Sequence, residues 1–175
     1  MVYIGVEEIL RSNIKPKEKQ IKLVEAVLSN HIPIGEFITF FEAASDVDKG
    51  TCADAMKHIS LAKPVLLEPY IHILIRYINY PAPRVKWGIL ETIGNMANDF
   101  PKQAAEAIPY LLVNTSNDKK NTTVIKWCAA FALGEIAKYN PETRIYLLPI
   151  FNELINNEQN TGIKNIYRKA IKAIG

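Results

Sequence analysis

Cysteine is scarce in this chain. Cys52 and Cys128 are the only two in 175 residues, far apart and in no CxxC pair, which excludes a disulfide framework and a cysteine-built zinc site. Long apolar runs are missing too. No stretch approaches the roughly 18 uninterrupted apolar residues that cross a bilayer, because charged residues such as Glu68, Arg76 and Glu153 break every run. The opening MVYIGVEEILRSNIK has no basic segment followed by a long apolar one, so it does not read as a secretory signal. No lipidation motif occurs. These absences lead us to expect a cytoplasmic protein without a membrane partner. An excess of charge of one sign is also lacking: 21 Lys+Arg against 18 Asp+Glu leave +3, too little to demand a polyanionic partner.

Catalytic patterns are equally thin. His31, His58 and His72 stand alone, without Cys, His or carboxylate at metal-ligand spacing, and no HExxH occurs. Ser45, Ser60 and Ser116 sit in no GxSxG elbow, and neither GxxxxGK[ST] nor GxGxxG is present. Both cysteines fall on apolar helix faces and read as inert core thiols. We therefore expect no catalytic residue, no metal, no cofactor and no small-molecule substrate.

What the chain does have is a period. Apolar residues make up 49% of it and recur at helical spacing, with no sustained alternation of the strand kind. Pro69, Pro109 and Pro149 lie 40 residues apart, each within an otherwise helical run, where proline removes a backbone donor and costs roughly 3 kcal/mol. The same step relates Lys86-Trp87 to Lys126-Trp127, Gly94 to Gly134 and Pro101 to Pro141. A period of this size marks a stacked-repeat architecture. Helical spacing and punctuation predict five antiparallel helix pairs: 2–12 with 15–30, 33–45 with 48–62, 64–79 with 83–100, 102–115 with 121–139, and 141–157 with 161–174. Prolines 33, 64, 101 and 141 open successive first helices, near the position where a missing donor costs little. The expected fold is all-α, an α-α superhelix forming a single domain over 1–175, with 1–32 as a divergent N-terminal cap pair and 33–175 as about four repeats.

Two second helices carry a shared pattern, Val85-Lys86-Trp87 through Ile93-Gly94-Asn95-Met96-Ala97 and Ile125-Lys126-Trp127 through Leu133-Gly134-Glu135-Ile136-Ala137. That pattern resembles HEAT repeats, with lysine where the family commonly has arginine. The resemblance implies a HEAT-like solenoid whose second helices line a concave, partner-binding face. It also implies that Trp87 and Glu91 in one repeat, and Trp127 and Phe131 in the next, occupy solvent-facing inner positions. Exposed apolar patches mark binding sites and tryptophan is enriched among interface hot spots; the competing reading is that the indoles lean sideways and pack between repeats. Gly94 and Gly134, at mid-helix positions costing about 1 kcal/mol relative to alanine, predict close approach of neighbouring helices. The three repeated prolines predict bent outer helices.

A basic cluster, Lys164, Arg168, Lys169 and Lys172, marks the last helix, where no acidic residue occurs over 161–175. It reads either as the polar outer face that a terminal repeat needs or as contact with nucleic acid or an acidic partner. The function expected from all this is a non-enzymatic scaffold holding a protein or peptide partner. The alternative is nucleic-acid binding, in the extreme a relative of HEAT-like alkylpurine DNA glycosylases. Trp87-x-x-x-Glu91 is similar in kind to their aromatic residues and carboxylate on one helix, although those enzymes rely on aspartate. A chromophore-lyase-associated HEAT-like module finds no bilin pocket in these residues.

Overall fold

A computed structural model describes residues 5–175; the predicted start of the first helix, 2–4, lies outside the described residues. Eleven α-helices, and no strand, occur among the described residues. The first two pairs are α1 (Val6–Arg11) with α2 (Pro16–Leu28) and α3 (Ile34–Ala43) with α4 (Asp46–Ala62). The third pair opens on two 3-10 turns, Pro64–Leu66 and Glu68–Tyr70, before the short α5 (Ile71–Arg76) meets α6 (Pro83–Met96). The fourth joins α7 (Pro101–Ala105) and α8 (Ile108–Val113) to α9 (Thr123–Tyr139), and the fifth is α10 (Pro141–Asn157) with α11 (Thr161–Ile174).

The five expected pairs are present, but two first helices are not continuous. Where 64–79 and 102–115 were expected as single helices, the chain breaks ahead of Pro69 and Pro109 and restarts. Each of these prolines sits at the first or second position of its new element, where its missing donor has no partner to lose. Only Pro149 lies inside an unbroken helix. The expectation that all three bend an outer helix is therefore corrected: two interrupt it.

The polar turns between helices act as caps. Ser45, Thr122 and Asn160 each accept a hydrogen bond from the amide three residues on, and Asn140 from the Glu142 amide, satisfying donors a helix start leaves free. At the other ends, Arg144 donates to the Ala137 and Lys138 carbonyls at 2.9 and 2.7 Å. Lys49 donates to those of Phe41 and Glu42 at 2.6 and 2.8 Å. Cations there also oppose the helix dipole.

The second helices α2, α4, α6, α9 and α11 pack side by side in that order, and first helices lie mainly on their own partners. One apolar cluster runs through this double layer from Val6 to Ala170. Glycines set the closeness. A Cβ on Gly88 would come within 2.6 Å of the Ala53 backbone on α4, and one on Gly94 within 2.6 Å of the Phe131 ring and 3.0 Å of the Ala132 Cα on α9. At Gly134 it would meet the Ala170 Cβ of α11 at 3.1 Å. No helix of the described residues is long and apolar enough to cross a membrane.

Candidate functional site

The second-helix layer has a free side, read as stripes of exposed or half-buried residues. On α9 it is Val124, Trp127, Phe131, Glu135 and Lys138; on α6 it is Arg84, Trp87, Glu91 and Asn95. Both stripes step by three and four residues, the spacing of one helix face. The four residues expected at inner positions all fall on these stripes, yet in different environments.

Trp127 is 41% exposed, and its ring stacks on Phe131 with centroids 5.9 Å apart and planes 14° from parallel. Phe131 in turn lies over Gly94, filling the space that the missing side chain leaves. The pair is thus an aromatic shelf with its base wedged between α6 and α9. For Trp87 and Trp127 both an inner, solvent-facing position and packing between repeats were open readings, and the two residues differ. Trp87 is half-buried, packed on the apolar cluster, and its Nε1 is buried without an acceptor. Helix α6 is drawn tightly to α4 through Gly88 and to α9 through Gly94. Among the described residues Trp87 enters no ring pair with Trp127 or Phe131.

Glu91 joins three helices. Its carboxylate lies 3.8 Å from the Lys57 amine on α4 and accepts from the Cys128 thiol on α9 at 3.7 Å. Burial, with the Glu91 charge next in importance, pushes that thiol up to about 12. Cys52, wholly buried, is likewise pushed up to about 12, chiefly by burial. Burial thus favours the protonated form of both thiols. No group of three or more His, Cys, Asp or Glu able to hold a metal ion exists among the described residues.

Ion pairs that sequence reading did not anticipate stitch the repeats. Arg84 reaches back to Asp54 at 2.7 Å. Lys126, beside Trp127, reaches forward to Glu158 at 2.7 Å and to Asn117 at 3.0 Å, with both charged side chains well buried (13% and 6% exposed). Burial alone would push the Glu158 carboxyl up. The Lys126 bond and the amides of Asn160 and Gln159 outweigh it and hold the group below the ordinary carboxylate value. Glu158 also lines, with Thr115, Asn117, Leu154 and Tyr167, a small cleft of about 160 Å³. Lys86, the counterpart of Lys126 one period earlier, forms no ion pair among the described residues; burial and the nearby Lys120 lower its pKa. The Lys-Trp doublets were legible as repeats, and Asp118 follows Lys86 at the spacing by which Glu158 follows Lys126, but among the described residues only Lys126 pairs with its acid.

The basic residues of α11 are where the sequence placed them. Arg168, Lys169 and Lys172 are exposed and Lys164 half-buried. Aligning Ile163-Lys164 on Ile125-Lys126 puts Lys169 at the position of Phe131 and Ala170 at that of Ala132. The Gly134–Ala170 contact repeats the Gly94–Ala132 one, so this register holds in space. None of the four cations forms an ion pair with a described residue; Arg168 donates to Asn165 at 3.1 Å.

A family model described as a HEAT-like repeat matches residues 83–136, which run from the start of α6 into α9. No curated protein matches the chain. The family match covers the two second helices that carry the shared pattern and supports a HEAT-like repeat assignment for that part of the chain.

Proposed function

We propose that this chain is a non-enzymatic binding module that holds a segment of a partner protein on the free side of its second-helix layer, with Trp127 as the anchor. The observation that carries the reading is the Trp127–Phe131 shelf: a large aromatic left 41% exposed, yet fixed by stacking on a ring that is itself wedged over Gly94. Exposing a tryptophan face forgoes burial worth a few kcal/mol, and a rigid aromatic loses little conformational entropy when a partner covers it. HEAT-like repeats supply a rigid layer for such contacts.

The glycosylase reading draws less support. Glu91 is engaged by Lys57 and faces a thiol rather than standing free beside an exposed ring, and Trp87 is packed into the layer. Affinity capture from the native cell, with Trp127→Ala beside wild type, tests the binding reading. Trp127→Ala is expected to lose the partner while keeping the wild-type helical circular dichroism and unfolding midpoint. Equal capture by both proteins would reject the anchor and the reading with it.

A further inference from the structure

The cleft of about 160 Å³ between the fourth and fifth pairs is lined by neither Trp127 nor Phe131, and it plays no part in the docking reading above. Its walls come from the turn after α8, from the end of α10 and from Tyr167 of α11. Two buried polar side chains meet there. Glu158 is 6% exposed and fully engaged: one carboxylate oxygen accepts from Lys126, the other from the Gln159 and Asn160 amides. Tyr167 is 1% exposed, yet its hydroxyl makes no hydrogen bond with a described residue, where a buried phenol ordinarily finds a partner. Its oxygen is not sealed in as Trp87 Nε1 and Asn114 Oδ1 are, so what lies open to it is the cleft it lines. Burial first, and the Glu158 charge second, push the Tyr167 pKa up, which favours the protonated, donating phenol.

We infer that this cleft is a binding site for an uncharged amide, whose carbonyl oxygen accepts from the Tyr167 hydroxyl. The charges beside the cleft select against ions. Lys126 and Glu158 neutralise each other at 2.7 Å, so an anion would meet the Glu158 carboxylate and a cation the Lys126 amine, each without a free counter-charge. What remains to recognise a ligand is polar and uncharged. Tyr167 offers a donor. Asn157, exposed at the cleft, makes no side-chain hydrogen bond with a described residue, so its carboxamide offers both an N–H and a carbonyl. Leu154 adds an apolar wall. A carboxamide or a peptide group, accepting at oxygen and donating at nitrogen, complements that set. Asn117 holds the opposite wall, its side chain bonded to Lys126 at 3.0 Å and to the Asn157 carbonyl at 3.3 Å. At the density of liquid water the volume takes about five non-hydrogen atoms, enough for a group the size of acetamide.

Titration with acetamide, followed by the NMR shifts of the Gln159 and Asn160 amides that bond Glu158 at the cleft, tests the inference. Acetate and methylammonium serve as charged probes of like size. Acetamide is expected to saturate on the order of 10 mM, the range of a small fragment, and both ions to bind at least about fivefold more weakly. Tyr167→Phe keeps the ring and removes the donor. It should weaken acetamide at least about fivefold, the worth of one hydrogen bond, without lowering the unfolding midpoint. Tyr146→Phe, at an exposed tyrosine outside the cleft, should leave the affinity as it is. Asn157→Asp changes an exposed residue, so it tests the same site without touching the core, and should weaken acetamide at least about twofold. Free glutamine against N-acetylglutamine methylamide then distinguishes an amino-acid ligand from a peptide one, both carrying the carboxamide. Shifts that stay linear in acetamide would mean that water alone fills the cleft, and would overturn the inference. So would equal affinity in Tyr167→Phe and wild type, or tighter binding of either ion. A midpoint lowered by Tyr167→Phe would do the same, by placing the partner of that hydroxyl within the protein.

Discussion

Gly94 and Phe131 make one contact between them, and that contact decides how the aromatic shelf is held. A methyl group on Gly94 would overlap the Phe131 ring at 2.6 Å and press on the Ala132 backbone at 3.0 Å. Overpacking of this kind costs typically about 1–3 kcal/mol, set against a gain of up to about 1 kcal/mol from replacing a mid-helix glycine. Gly94→Ala is therefore expected to lower stability by about 1–2 kcal/mol in urea unfolding. Adding Phe131→Leu should recover at least half of that loss, because a ring edge can be removed and a backbone cannot. By the same logic Gly88→Ala has no such rescue, since its obstruction is the Ala53 main chain. If Gly94→Ala proves neutral without the second change, Phe131 is free to swing aside and the shelf is not wedged. Trp87 illustrates the complementary case. Its sequence position is that of Trp127 one period earlier, but it is half-buried and packed on the apolar cluster.

Among the elements, the three repeated prolines show how the same residue at the same period gives different structure. Pro69 and Pro109 stand at the starts of new elements, after breaks in the first helices, whereas Pro149 interrupts the hydrogen-bond ladder within α10. Replacing a proline inside a helix restores a donor and relieves a clash; replacing one at a helix start only frees the unfolded chain. Pro149→Ala should thus raise stability by about 1 kcal/mol, and Pro69→Ala and Pro109→Ala should lower it by about 0.5–1 kcal/mol, as read from urea midpoints. A gain at all three sites would mean that the breaks at 69 and 109 are imposed by proline rather than chosen by packing. The period itself was fully legible, and so were the five pairs, because a 40-residue step and helical apolar spacing are properties of the sequence alone. Helix continuity was not: whether a proline ends a helix depends on the neighbours packed around it. The site divides along the same line. Trp127, Phe131 and the α11 cations could be placed from register. The half-burial of Trp87, the Glu91–Lys57 pair and the Lys126–Glu158 bridge needed the distance between helices, which no spacing in one chain encodes.

Across the whole molecule, stability in a stack is carried by neighbour contacts, so damage in one repeat stays near it. Helix α11 packs on α9 and α10, and two features fasten this last pair: the Phe151–Tyr167 ring contact at 5.3 Å and the Lys126–Glu158 bridge. The bridge is buried, so removing one partner strands the other charge, at a cost of about 3 kcal/mol. Its pH dependence has a definite sign. The folded-state pKa of Glu158 lies below its ordinary value of 4.5, so the stabilisation is fully present above that value and is lost as pH falls through the lower, folded one. Glu158→Gln should accordingly loosen the last pair at neutral pH. Hydrogen exchange should then show α10 and α11 losing protection by about two orders of magnitude, the equivalent of about 3 kcal/mol, while α4 and α6 keep theirs. Lowering the pH from 5 to 3 should strip protection from α10 and α11 of the wild-type protein and change the variant less, since the variant has no carboxylate there to protonate. Uniform loss along the chain would instead mark the stack as a single cooperative unit, in which α11 and its unpaired cations are held as firmly as the aromatic shelf beside them.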